Sequence, residues 1–434
     1  MMIKYLAILF LLIGISSFSQ EYKPLDTTDF KHRTSLSDKY KTNFELVRKK
    51  LKKTYRGKKK KEILNSYEKK HARFLVNLNN KEFVFNPVFT NYIDSITETI
   101  VKVNPSLKAE NLKVHIGRYN APNAYSMGEG IVVLNMGLFN FLESESQFVS
   151  VLTHEIAHQK LQHSANNVVY NAEVSTSKAT KRKAIAIRRQ KYNQYEKAFS
   201  VLKDMLYTNK KKHRVQEAEA DKLGYEMFKK TDYNKLAFIN ALKLLGDLDS
   251  MPSISIDTLV YKKMFNLPNR PYNSDWIVKE KSKYNYFESE DKINKDSVKS
   301  HPEIPERIEK LKHHFPELKN SEYSPKVSKN GTFEDLQNIA YKESIANLYY
   351  LKKYGLSTYI TLNRLAKNPD DEFYKEWLGK NFLALSKAKK EYRFSRYVDN
   401  VSREDQDKSY QQFLSFLWAL SLSEMNEIGR FYSK

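Results

Sequence analysis

Two short stretches constrain this chain more than anything else in it, because each sets a pair of chemically active side chains four residues apart. The first, "VSVLTHEIAHQKLQHS" (149–164), contains His154-Glu155-Ile156-Ala157-His158. The second, "EAEAD" (217–221), carries Glu217 and Asp221. Residues at i and i+4 project from one helical face about one turn apart, so each pair predicts a helix. The small residues Ala218, Ala220 and Gly224 around the second pair predict close packing of that helix against another.

The residue types say what such packing is for. Two imidazoles one turn apart can grip one metal ion, and H-E-x-x-H is the zinc pattern with this spacing. Glu155 is not needed as a ligand; it can take a proton from an attacking water and pass it to a leaving amine. A third ligand decides the matter. The metzincin pattern requires glycine and histidine three and six residues after the second ligand. Leu161 and Ser164 stand there, which excludes it. His163 is one residue out of register and reads as a surface histidine or a partner of a ligand. Glu217 supplies the alternative third ligand, from a later helix, while Asp221 reaches back to a ligand histidine and fixes its tautomer. Glu219 lies off that face. The expectation is one zinc ion per chain on His154, His158 and Glu217, with Glu155 as the base.

Two further stretches, "NAYSMGEGIVVLNMGLFNFL" (123–142) and "SHPEIPERIEKL" (300–311), flank these motifs. Together the four resemble, in order across roughly residues 85–315, the gluzincin metallopeptidases of family 48. That group holds CAAX prenyl proteases, HtpX-type membrane proteases and exported bacterial relatives. The resemblance implies a zinc metalloendopeptidase of class EC 3.4.24, with His154, His158 and Glu217 as ligands, Glu155 as general base and Asp221 behind a ligand. His301 and Arg307 match a His-Pro…Arg element near the active site. There the histidine approaches the metal or the tetrahedral intermediate, and the arginine braces the site. A plain helix-start role for His301 stays open.

The chain departs from the membrane-embedded members because it has no set of apolar spans, which points to the exported, soluble type. Its opening, "MMIKYLAILFLLIGISSFSQ", has Lys4 ahead of an apolar run and small residues at Ser17 and Ser19, as in a secretory signal cleaved after Ser19. The run is shorter than the ~20 residues a spanning helix needs. There are no cysteines, so disulfides, thiolate zinc sites and a lipoprotein anchor are excluded. The expected location is therefore the bacterial periplasm, at most peripheral to a membrane surface, with no transmembrane span after cleavage.

The expected fold class is α+β and predominantly helical. A zincin-type metallopeptidase domain with a small β-sheet (20–328) follows the signal peptide (1–19) and precedes an all-α tail (329–434). Apolar residues Val88, Tyr92, Ile93, Ile96, Ile100 and Val103 keep helical spacing between two Asn-Pro marks. β-Branched runs at Val114–Ile116 and Ile131–Leu134 predict strands. If Ile131–Leu134 is an edge strand beside the cleft, an extended peptide can add to it. Ser300 and Glu303 form a capping-box pattern with Pro302 in the first turn. Trp377-Leu378-Gly379 gives the tail one tetratricopeptide-like signature.

The formal net charge is +23. A balance this basic suits nucleic acid, an anionic membrane surface or acidic partners. Export makes nucleic acid the least favoured, and none is expected as a partner. The lysine runs at 49–62 and 178–191 each read as solvated faces of surface helices. The expected substrates are unfolded or misassembled proteins, within envelope protein quality control, and the tail is expected to hold an envelope assembly partner. A periplasmic chaperone or assembly factor with a latent or structural zinc site is the competing class. A polyanion or membrane-surface binder, drawn from charge alone, is the third.

Overall fold

The computed structural model describes residues 23–26, 28–189, 194–246, 255–277, 304–319, 331–402 and 406–433. The expected signal peptide and the Ser300–Pro302 cap lie outside the described residues.

The chain opens with a helical hairpin, α1 (Phe30–Thr54) and α2 (Gly57–Asn79). After the short strand β1 (Phe83–Val84) comes α3 (Pro87–Val103), as the spacing predicted. Its start is set chemically: the Asn86 side chain accepts from the Val88 amide, and Pro87 takes the first turn, where no donor is needed.

Three strands follow, β2 (Lys113–Gly117), β3 (Ala124–Gly128) and β4 (Ile131–Asn135), giving the sheet order β1-β2-β4-β3. β2 runs parallel to β4, in the register Lys113↔Ile131 to Gly117↔Asn135, and β3 is antiparallel to β4. The β3–β4 turn has three successive positive φ angles, Gly128 (95°), Glu129 (54°) and Gly130 (81°). A Cβ on Gly130 would also lie 2.6 Å from the Glu110 carbonyl oxygen, so only glycine fits. The sheet corrects one expectation: Ile131–Leu134 is an interior strand, and the edge is β3. Every residue of β4 is buried, which is what a β-branched run covered on both faces requires.

Alternation along β4 divides the interior. Val132 and Leu134 face a large core with α3, while Ile131 and Val133 face Tyr40, Phe44 and Phe74 of the α1–α2 hairpin. Beyond the sheet come α4 (Gly137–Phe141), α5 (Glu145–Lys160), α6 (His163–Thr176), α7 (Lys178–Arg188), α8 (Gln194–Phe228), α9 (Ala237–Gly246), α10 (Leu259–Phe265) and α11 (Ile304–His314). The large core draws on α5, α8, α9 and α11.

The tail is all-α, as expected: α12 (Gly331–Tyr350), α13 (Tyr354–Lys367), α14 (Glu372–Lys390), α15 (Lys408–Ala419) and α16 (Leu422–Tyr432). Its aromatic-rich core also takes in Val260, Tyr261 and Phe265 of α10 and Trp276. α12 enters both cores, with Phe333, Leu336 and Ala340 in the first and Ile345 in the second. Buried polar bonds reinforce this junction. Arg118 Nη1 donates to Glu343 Oε2 at 2.6 Å, and Gln337 donates to the carbonyls of Phe139 and Leu142. The fold is thus predominantly helical α+β, with one four-stranded sheet and a helical tail.

Candidate metal centre

α5 begins at Ser144, whose hydroxyl accepts from the Gln147 amide, and Glu145 sits in its positively polarised first turn. It is a core helix, with Phe148, Val149, Leu152 and Ile156 buried. His154, Glu155 and His158 line a cavity of about 480 Å³. α8 crosses α5 closely enough that a Cβ on Gly224 would lie 3.0 Å from His154 Cα. Of the small residues read in the sequence, Gly224 sits at that approach, which brings Glu217 and Asp221 to the histidines.

The three expected ligands converge. His154 Nε2 and His158 Nε2 are 3.1 Å apart. The Glu217 carboxylate lies 3.5 Å from the first and 3.4 Å from the second. Donors bound about 2.0–2.2 Å from a tetrahedral zinc stand about 3.3–3.6 Å from one another. The two spacings to Glu217 fall in that range and the spacing between the imidazoles is about 0.2 Å shorter, and two imidazoles and a carboxylate are a zinc donor set, so these residues fit the ion.

Behind the ligands lies a layer of charge. His154 Nδ1 is 3.0 Å from Asp221 Oδ1. Arg307, from α11, donates through Nε and Nη2 to the two Asp221 oxygens, both at 2.7 Å, and its Nη2 is 3.1 Å from Glu217. The structure thus brings Asp221 and Arg307 together beside His154 and Glu217. His301 lies outside the described residues.

Burial and neighbouring charge set the proton affinities. Burial pushes the Glu155 carboxyl up to about 7, with the His154 charge opposing. Burial also disfavours charge on His154, but Asp221 and Glu217 outweigh it and raise the imidazole to about 10. His158 falls to about 3 through burial and the His154 charge. Burial works against the Glu217 carboxylate, yet His154 and Arg307 hold it far below the usual range. A base near neutrality thus faces a carboxylate kept ionised.

Two features were not read from the sequence. The first is a break in the motif helix: Gln162 adopts φ 54°, α5 ends, and α6 starts at His163. The turn buries His163, with its Nδ1 2.8 Å from His158 Nδ1 and its Nε2 3.2 Å from Glu219 Oε2. No glycine or proline marks that break. The second is β3, whose Ala124, Tyr125 and Ser126 line the cavity. Among the described residues no helix is long and apolar enough to cross a membrane.

Comparison with known proteins gives two findings. Residues 89–314 match the model of Peptidase family M48. A beta-barrel assembly-enhancing protease of Vibrio cholerae is 34% identical over 97 residues, 22% of this chain and 20% of that protein. The corresponding protease of Yersinia pestis is 30% identical over 82 residues, 19% of this chain and 17% of that protein. The chain therefore spans at most a fifth of the length of these curated relatives.

Proposed function

Since this chain belongs to peptidase family M48, we propose that it is a zinc-dependent endopeptidase exported to the bacterial periplasm. The observation that carries the reading is the convergence, in one cleft, of a three-residue zinc donor set with the buried carboxyl of Glu155. His154, His158 and Glu217 would hold the ion, which when bound would polarise the scissile carbonyl and make water more acidic. Glu155 takes the proton of the attacking water and delivers it to the departing amine. Asp221 fixes the His154 ring, and Arg307 clamps Asp221 and Glu217 together, so neither carboxylate can swing away.

Substrate docking follows from the sheet. β3 is an edge strand on the cavity wall, so an extended peptide can pair with it through main-chain hydrogen bonds. Recognition of that kind selects exposed, extended chain more than a particular sequence. The physiological substrates in this reading are unfolded or misassembled envelope proteins, in line with the names of the two relatives. Zinc analysis and casein digestion with wild type and Glu155→Gln test the chemistry. The variant is expected to keep its zinc and lose about 10²–10⁴-fold in turnover. Undiminished cleavage by Glu155→Gln overturns the mechanism.

A further inference from the structure

Two basic runs far apart in sequence meet at one end of the fold. The first forms the tip of the α1–α2 hairpin, where Lys49, Lys50, Lys52, Lys53, Arg56 and Lys58 are exposed. The second is α7, with Lys178, Lys181, Arg182, Lys183 and Arg188 exposed. A small satellite core ties them together: Ile63 and Tyr67 of α2 pack with Ala172 of α6, beside Leu51, Tyr55 and Val168. Lys59 pairs with Glu173 about one turn before Ser177 caps α7. Each run alone reads as a solvated helix face; their convergence was not visible in the sequence.

α7 is also unusual as a helix, since it buries none of its residues. Ile185 is 50% exposed between Lys178 and Lys181, and Ala179, Ala184 and Ala186 are exposed elsewhere round the helix. An exposed apolar side chain among cations suits a helix that rests on an anionic lipid interface. A site for single-stranded nucleic acid uses aromatic platforms for bases, whereas the tip's Tyr55 is packed against the satellite core. We propose that the hairpin tip and α7 together dock on an anionic lipid bilayer. α6 runs from His163 at the metal centre to Thr176 at this basic end, a length of about 20 Å. Docking would therefore hold the cleft close to the membrane surface.

Co-sedimentation of the full chain with vesicles tests this. Binding is expected to phosphatidylglycerol-containing vesicles, not to pure phosphatidylcholine, and to weaken with salt. Each neutralised cation should cost about fivefold, so changing Lys49, Lys50, Lys52 and Lys53 to Gln should cost several hundredfold, roughly. Arg182→Gln with Lys183→Gln should cost about 25-fold, and both variants should melt as wild type does. Equal binding to neutral vesicles, tighter binding to a DNA duplex than to the anionic vesicles, or loss with only one of the two variants overturns the proposal.

A different observation supports a second assignment, which rests on the proposed metal centre: the geometry points to His163 and Glu219 as positioning residues for His158. His158 Nε2 faces the other ligands, so its Nδ1–H donates to His163 Nδ1 at 2.8 Å. His163 Nε2–H then donates to Glu219 Oε2 at 3.2 Å. His154 has Asp221 for the same purpose. Zinc competition against a chelator and the visible spectrum of the cobalt-loaded protein test it. His163→Ala should weaken metal affinity about 10–100-fold and shift the spectrum, while Glu219→Gln, which keeps an acceptor, should stay closer to wild type than Glu219→Ala. Unchanged affinity and spectrum in His163→Ala overturn this relay, whereas a wild type that binds no metal overturns the metal centre itself.

Discussion

Replacing Gly224 with alanine puts a methyl group where α8 crosses the backbone of the ligand helix. The added Cβ would lie 3.0 Å from His154 Cα, 3.2 Å from His154 N and 3.3 Å from Thr153 O. These are backbone atoms of a buried helix, so no side-chain rotation relieves the contact, and the helices must separate by a few tenths of an ångström. Alanine gains about 1 kcal/mol of helix propensity over glycine, whereas overpacking typically costs about 1–3 kcal/mol. The net destabilisation is therefore expected between zero and about 2 kcal/mol. The metal should register the shift more strongly, because ligand distances tolerate only about 0.2 Å of error. Gly224→Ala is thus expected to bind zinc about tenfold more weakly while the metal-free protein loses no more than about 2 kcal/mol of stability. Competition against a chelator, alongside urea denaturation of the metal-free protein, measures both. A variant more stable by the full propensity gain, with wild-type zinc affinity, would refute the close crossing.

Other outcomes follow from the same structure. Burial among Tyr40, Phe74 and Phe83, with the Lys113 charge, lowers His115 from 6.5 to about 4. The unfolded chain takes up that proton near 6.5 and the folded chain resists it, so stability should fall between pH 6.5 and 4, by on the order of 2 kcal/mol. Urea midpoints across that range should fall less in His115→Leu; an identical slope would contradict the assignment. Truncation at 328/329 tests how far the chain divides there. A chain ending at 328 loses Phe333, Leu336 and Ala340 from the first core and leaves Arg118 without Glu343. Breaking a buried ion pair this way costs about 3–5 kcal/mol, so the fragment should melt far earlier and hold zinc poorly. Wild-type melting and zinc binding by the fragment would instead establish an autonomous domain.

Much of the site was legible because its chemistry demands fixed spacings. His154 and His158 must share a helical face, Glu217 and Asp221 must share another, and the small residue at 224 marks where the two meet. α3 was legible from Asn86-Pro87 and its apolar spacing, and β2 and β4 from their β-branched runs. β3 was not, since Ala124, Ser126 and Gly128 carry little strand propensity and pairing with β4 makes them a strand. The left-handed Gln162 had no marker either, so the sequence left His163 open between a surface place and a ligand's partner, and the turn puts it against His158. The double membership of α12 was hidden for another reason. Phe333, Leu336, Ala340 and Ile345 keep one helical spacing, and nothing in that spacing says which neighbour each meets.

Zinc stoichiometry across four proteins tests the central claim, that one ion is held jointly by two helices distant in sequence. Wild type and Glu155→Gln are each expected to retain close to one zinc per chain after dialysis. His158→Ala and Glu217→Ala are each expected to lose most of it while keeping wild-type helical content. Zinc retained in full by Glu217→Ala would contradict the account, because the ion would then not be held between α5 and α8.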